Sequence, residues 1–221
     1  MTKSWWKILA TILILYSIIG GFLINVPALP ILHESIRNLY FHVPMWFAML
    51  ILYLISVIYS IKYLSSGKME HDLVAVESVN TGILFCFLGL FSGMLWANIT
   101  WGDPWPNDPK LNSSAIATLM YLAYLVLRNS IEEEQKRAKI SAVYNIFAFP
   151  VMIVLLFILP RLTDSLHPGN GGNPGFGGYD LDNHMRLVLY PTFIGWMLMG
   201  VWIMTIRYRI RLLENKQHSV H

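Results

Sequence analysis

Six apolar runs separated by short polar stretches constrain this chain more than any other feature. They cover residues 5–24, 40–64, 76–99, a shorter 115–127, 142–159 and 187–206. A bilayer core about 30 Å thick takes roughly 20 residues of helix. Backbone polar groups in lipid must be satisfied within their own segment, so the runs are expected to be helices. Pro44 falls in the first turn of the second run, where a missing N–H costs little, and Pro160 ends the fifth. Charged residues make up 13% of the chain, against about 25% in a soluble domain. The expectation is an all-α, polytopic integral membrane protein, with residues 1–221 forming one six-span domain. A disordered chain, a disulfide scaffold and an ordinary cytosolic enzyme are excluded. The first run follows Lys3 and Lys7 as a signal peptide would. It is long, however, and no small-residue cleavage site follows it, so it reads as a retained span.

The basic residues set the orientation. Lys3, Lys7, Lys62, Lys68, Arg128, the 136–139 cluster and the 207–216 run fall on one side, and only Arg37, Lys110, Arg161 and Arg186 on the other. The crowded side is expected to be cytoplasmic, with both termini there. The outer loops are then about 25–39, 96–114 and 160–186, the second of them tryptophan-rich and lying between helices 3 and 4. A net charge of +3 with no basic stripe gives no reason to expect nucleic acid. Glu132–Glu134 and the lysines that follow read as a solvated helix end, and Glu77 as interfacial charge. Gly169–Gly178 lacks the ending of a phosphate loop. The single cysteine, Cys86, allows no intrachain disulfide and no CxxC pair, and it reads as a packing residue.

Chemistry concentrates on the outer side, which holds four of the seven histidines: His33, His42, His167 and His184. His42 interrupts an apolar run, and an ionisable residue at membrane depth is costly enough to mark a candidate site. The segment 96–110, WANITWGDPWPNDPK, carries Trp96, Trp101 and Trp105 among Gly102, three prolines and two aspartates. An interfacial belt explains the tryptophans. A fixed turn presenting indole faces to a flat apolar macrocycle explains them equally well. His167, in LHPG, lies about seven residues past the fifth span. Two neutral imidazoles from opposite sides would ligate a heme iron, but composition does not select a pair from the four. Zinc fits less well, because neither a thiolate nor an HxxxH pairing joins them.

At these three places the sequence resembles the CcmC/CcsA family of heme-handling membrane proteins of cytochrome c biogenesis, most nearly CcmC. His42 in FHVP and His167 in LHPG stand where that family has its two heme-ligating histidines. WGDPWPNDPK resembles its WGxxWxWD signature through Trp101, Gly102, Trp105 and Asp108, while Pro109 and Lys110 are similar to the DPK ending of the CcsA branch. Pro104 and Asn107 stand where the family often has tryptophan. The resemblance implies non-covalent heme b, carried as a transported ligand and held at the outer face of a bacterial inner membrane. His42 and His167 would be the axial ligands, and Trp101, Gly102, Trp105 and Asp108 would line the site. It also implies delivery to a periplasmic heme chaperone beside ABC-type complex subunits and a small membrane subunit, with no enzymatic step. Lys110 and Arg186 would be candidate partners for propionates, and His33 and His184 ordinary loop residues. Two other functions compete: a heme b electron-transfer subunit, which expects two histidines on facing helices, and a small-solute permease, which expects interrupted helices near the midplane.

Overall fold

The computed structural model describes residues 4–27, 29–168 and 181–218. Six helices are long and apolar enough to cross a membrane. They are α1 (Trp5–Leu23), α2 (Leu39–Ser66), α3 (Met69–Trp101), α4 (Pro109–Asn129), α5 (Glu134–Ile153) and α6 (Asn183–His218). A 3-10 turn, His33–Asn38, runs straight into α2. The helical path of α5 continues through a π turn, Val154–Ile158, and a 3-10 turn, Leu159–Arg161. No strand occurs among the described residues. The chain is a polytopic all-α membrane protein, as its apolar runs require.

Helix α3 is the most deeply enclosed of the six. Its packing against α2 rests on a glycine stripe. A Cβ at Gly93 would lie 2.7 Å from His42 Cε1, one at Gly89 would lie 2.9 Å from Trp46, and one at Gly82 would run into the Tyr53 ring. Three bulky rings of α2 therefore press on α3 where α3 has no side chain. Small residues are what allow such close approach between helices that gain nothing from leaving water. Further inside, Tyr53 stacks on Tyr121 of α4 with centroids 3.6 Å apart. Helix α1 is peripheral and packs mainly on α6, where Thr192 Oγ1 donates to Ser17 Oγ at 2.8 Å.

Several boundaries differ from the sequence expectations, for identifiable reasons. The supposed 96–114 loop is mostly helical, because α3 runs to Trp101 and α4 starts at Pro109. Gly102, at φ 77°, closes α3 in the left-handed conformation that glycine tolerates. Asp108 caps α4 by accepting from Lys110 N and Leu111 N, with Pro109 at the first helical position. Only the seven residues 102–108, both caps included, are non-helical. Likewise α2 begins at Leu39, so Pro44 lies inside the helix rather than in its first turn and supplies no N–H for the Tyr40 carbonyl. The fifth span does not simply stop at Pro160. It loosens at Val154, and Pro160 sits within the final 3-10 turn. The glycine-rich stretch 169–178 lies outside the described residues.

Candidate functional site

The structure brings His42 and His167 together. Their ring centroids are 6.3 Å apart, with planes inclined at 47°. His33 and His184, by contrast, are both exposed, one opening the 3-10 turn and the other in the first turn of α6. A metal held between two imidazoles at roughly 2 Å per bond places the ring centroids about 6 Å apart. The observed separation therefore suits one iron between two rings. Among the described residues no group of three His, Cys, Asp or Glu could hold a metal ion, so a zinc site built from these side chains alone has no support.

His42 is 7% exposed. Its Nδ1 lies 3.2 Å from Ser92 Oγ, and that hydroxyl spends its own hydrogen on the Leu88 carbonyl at 2.8 Å. The hydrogen between ring and serine must therefore belong to Nδ1. This fixes the neutral tautomer with the lone pair on Nε2. That lone pair accepts a long hydrogen bond, 3.3 Å, from Trp46 Nε1 one turn further along α2. Trp96 closes another side, its ring edge-on to His42 at 6.0 Å, and its own Nε1–H donates to Ser35 Oγ.

His167 lies on the non-helical segment after the fifth span, and α4 fastens that segment in place. Asp108, 2% exposed, accepts from Ser165 Oγ at 2.9 and 3.0 Å and from Leu166 N at 2.7 Å, in addition to capping α4. Ser165 Oγ in turn accepts from His167 N at 3.1 Å. Lys110 Nζ reaches the Pro168 carbonyl at 2.7 Å, and His167 Nδ1 donates to the same oxygen at 2.8 Å. The second imidazole is thereby set in the same tautomer as the first. Burial, reinforced by the Lys110 charge, pushes His167 down to about 3. It stays neutral through the physiological range, as a metal ligand must.

The sequence-derived residues divide by role. Asp108 is fully occupied in holding the His167 segment to α4. Gly102 ends α3 at an exposed position. Trp105 is braced by Asp103 Oδ1, which accepts from its backbone N–H, and by Asn112 Oδ1, which accepts from its indole. Trp101 lies in the last turn of α3, half-buried. Among the described residues neither Trp101 nor Trp105 makes a ring contact with His42 or His167; the indoles beside His42 are Trp46 and Trp96. Arg186 Nε donates to the Leu181 carbonyl and its NH1 to Tyr190 Oη. Trp46, Ser92 and Gly93 were not singled out from sequence. Trp46 stands four residues from His42, the spacing that puts two side chains on one helix face. Ser92 and Gly93 carry no local signal and become visible only once α3 is laid against α2.

Two expectations away from the histidines also meet the structure. Cys86 is a buried packing residue, its sulfur 3.1 Å from Thr118 Oγ1. Glu77 is not solvated interfacial charge: it is 1% exposed and accepts from Arg207 Nε at 2.7 Å and Arg211 Nε at 3.3 Å. Its neighbour Asp72 is clasped by both terminal nitrogens of Arg128. Inward-facing carboxylates are tolerated in such a bundle when each meets its own guanidinium.

Comparison with known proteins identifies the family. The family model described as "CcmC: Heme exporter protein C" matches residues 1–221. A heme exporter protein C of Paracoccus denitrificans is 23% identical over 182 residues, covering 82% of this chain and 75% of that protein. The Rhodobacter capsulatus protein of the same name is 24% identical over 213 residues, covering 96% and 88%. A cytochrome c biogenesis protein CcsA of Prochlorococcus marinus is 38% identical over 82 residues, which is 37% of this chain and 26% of that one. A match over the whole length, on six membrane-crossing helices, decides the affiliation: the chain belongs to the CcmC, heme exporter protein C, family.

Proposed function

We propose that this chain holds heme between His42 and His167 at the outer face of a bacterial inner membrane and hands it to a periplasmic heme chaperone for cytochrome c maturation. The observation that carries the reading is the pair of neutral imidazoles with centroids 6.3 Å apart, each with Nδ1 spent on a fixed acceptor. That arrangement directs Nε2 of both rings toward ligation. The cargo is non-covalent heme b, and residues 1–221 act as one six-span unit. ABC-type subunits and a small membrane subunit are the expected companions. The protein performs binding and transfer and no covalent chemistry of its own.

The residues divide the work between holding and releasing. His42 is rigid, anchored on α2 against the bare surface of α3 at Gly93. His167 sits on a segment fastened by a few polar contacts to Asp108 and Lys110. One ligand on a helix and one on a tethered loop is unlike two ligands on facing helices, and it suits cargo that must leave. Trp46 adds a counterweight, because its indole N–H already occupies the His42 lone pair and must swing aside when iron is bound. Trp101, in the last turn of α3, and Trp105, held within the turn by Asp103 and Asn112, would offer the macrocycle or its receiving partner an aromatic face.

The test is an absorption spectrum of detergent-purified wild type beside His42→Ala and His167→Ala. Wild type is expected to show a bis-histidine heme spectrum. Each variant should lose at least about ten-fold in occupancy, since even indirect supporting contacts are commonly worth that much in metal affinity. Full occupancy in both variants, with cytochrome c maturation intact, overturns the reading.

A further inference from the structure

At the end of the bundle remote from His42 and His167, the helices part around a cavity of about 410 Å³. Its walls come from four helices, α3 to α6, and its charged lining is dominated by Arg128, Arg137, Arg207 and Arg211. Two of its three carboxylates, Asp72 and Glu77, are 3% and 1% exposed and engaged. The manner of engagement matters. Glu77 takes the Nε–H of Arg207 and of Arg211, which fixes two guanidinium planes by their inner edge and leaves the terminal nitrogens of Arg207 without a side-chain partner among the described residues. Arg211 spends one terminal nitrogen on a loose contact, 3.5 Å, with Glu214. Arg137 is half-buried, lines the cavity and has no side-chain partner among the described residues. Asn129 and Asn215 add amide donors to the wall.

A buried carboxylate that orients guanidiniums by their Nε edge, beside a third guanidinium with no side-chain partner among the described residues, offers the donor set a tetrahedral oxyanion takes. Guanidinium forks match phosphate oxygens, and they bind best when already oriented. We propose that this cavity binds a phosphate group, with Arg137 and Arg207 as its principal donors and Glu77 as the residue that positions Arg207 and Arg211. The phosphate has two chemical sources at a membrane surface, the headgroup of an anionic phospholipid and free phosphate in solution. The inference does not depend on what His42 and His167 hold.

The experiment measures thermal unfolding of the full chain in neutral detergent at fixed ionic strength. The probes are inorganic phosphate, dioctanoyl phosphatidylglycerol and, as a zwitterionic control, dioctanoyl phosphatidylcholine. Ligand that binds only the folded state raises the midpoint, and a rise of about 3 °C or more is expected at saturation. Arg137→Gln, which breaks no internal pair, should lose most of that rise. Arg207→Lys should keep part of it, since a point charge replaces a fork. A response to both probes, or to either alone, supports the site, and the pattern names the source: lipid only means a headgroup, phosphate only a soluble anion. No rise with either probe, an equal rise with phosphatidylcholine, or an undiminished rise in Arg137→Gln overturns it. The heme spectrum of Arg137→Gln should match wild type, which separates failure here from failure at the histidines.

Discussion

The two ends of the bundle bury polar groups by opposite means. At one end, His42 and His167 are neutral rings held by single hydrogen bonds to a serine, a carbonyl and an indole. At the other, Asp72 and Glu77 are carboxylates met by three arginines, one of them bidentate. Full charges in a low dielectric are stable only while every partner is present, so that end behaves as a clamp. Neutral rings cost little to bury and little to release. The histidine end therefore keeps its polar groups uncharged, and the other end keeps its charges paired.

Removing one member of the clamp is expected to have the largest effect. Arg128→Met leaves Asp72 buried and unpaired, a change worth about 3–5 kcal/mol. It should lower the unfolding midpoint by about 10 °C. The double change with Asp72→Leu should recover much of the loss, and a double variant no better than the single would break the comparison. The loop tether comes next. Asp108→Asn keeps an oxygen for the α4 cap but sets an amide donor against the Leu166 N–H. Stability should fall by no more than about 2 kcal/mol, while the heme dissociation rate measured against an apo-myoglobin acceptor rises about ten-fold. Equal changes in the two would mean that Asp108 is only a cap.

Trp46→Phe should act in the reverse direction. It removes the N–H that competes for His42 Nε2, a bond worth about 1 kcal/mol, so heme loss in the same assay should slow by about five-fold. Unchanged or faster loss would show that the indole supports the bound state. Acid should produce the smallest effect. An unfolded chain protonates its histidines near 6.5, while buried His167 resists down to about 3. Between those values the unfolded state binds a proton that the folded state does not, so stability falls as pH falls. The slope of midpoint against pH between about 6 and 4 should be shallower in His167→Gln, and identical slopes would argue that the ring is accessible to water.

Most of the fold was legible because lipid demands long apolar helices, and those show in sequence without any tertiary knowledge. The ends were read too short wherever a charge appeared. Residues 69–75 of α3 fall outside the expected run because its apolar stretch begins only at Val76, although Asp72 before that point and Glu77 just after it are buried against arginines far away in the chain. The tryptophan segment was likewise read as too much loop, for a different reason. Gly102 and the Asp108-Pro109 pair are ordinary helix end and start signals, and weighing them would have reduced the loop to its seven residues. At the site, residue types suggested iron ligation, but selecting His42 and His167 from four histidines needed the family resemblance. Nothing local places residue 167 beside residue 42. The structure supplies the means: a loop bound through Ser165, Leu166 and Pro168 to the start of a different helix.

The π turn at Val154–Ile158 has a consequence for how this protein tolerates change. A π turn carries one residue more than the α-helix around it needs. A deletion in these five positions would let the backbone relax into regular α geometry at no cost to the membrane crossing. The surplus residue is what the π turn absorbs, so everything downstream, including the segment that carries His167, would keep its bearing. Losing one amino acid there should therefore be tolerated, whereas the same loss from the regular part of α5 would turn everything beyond it by about 100°.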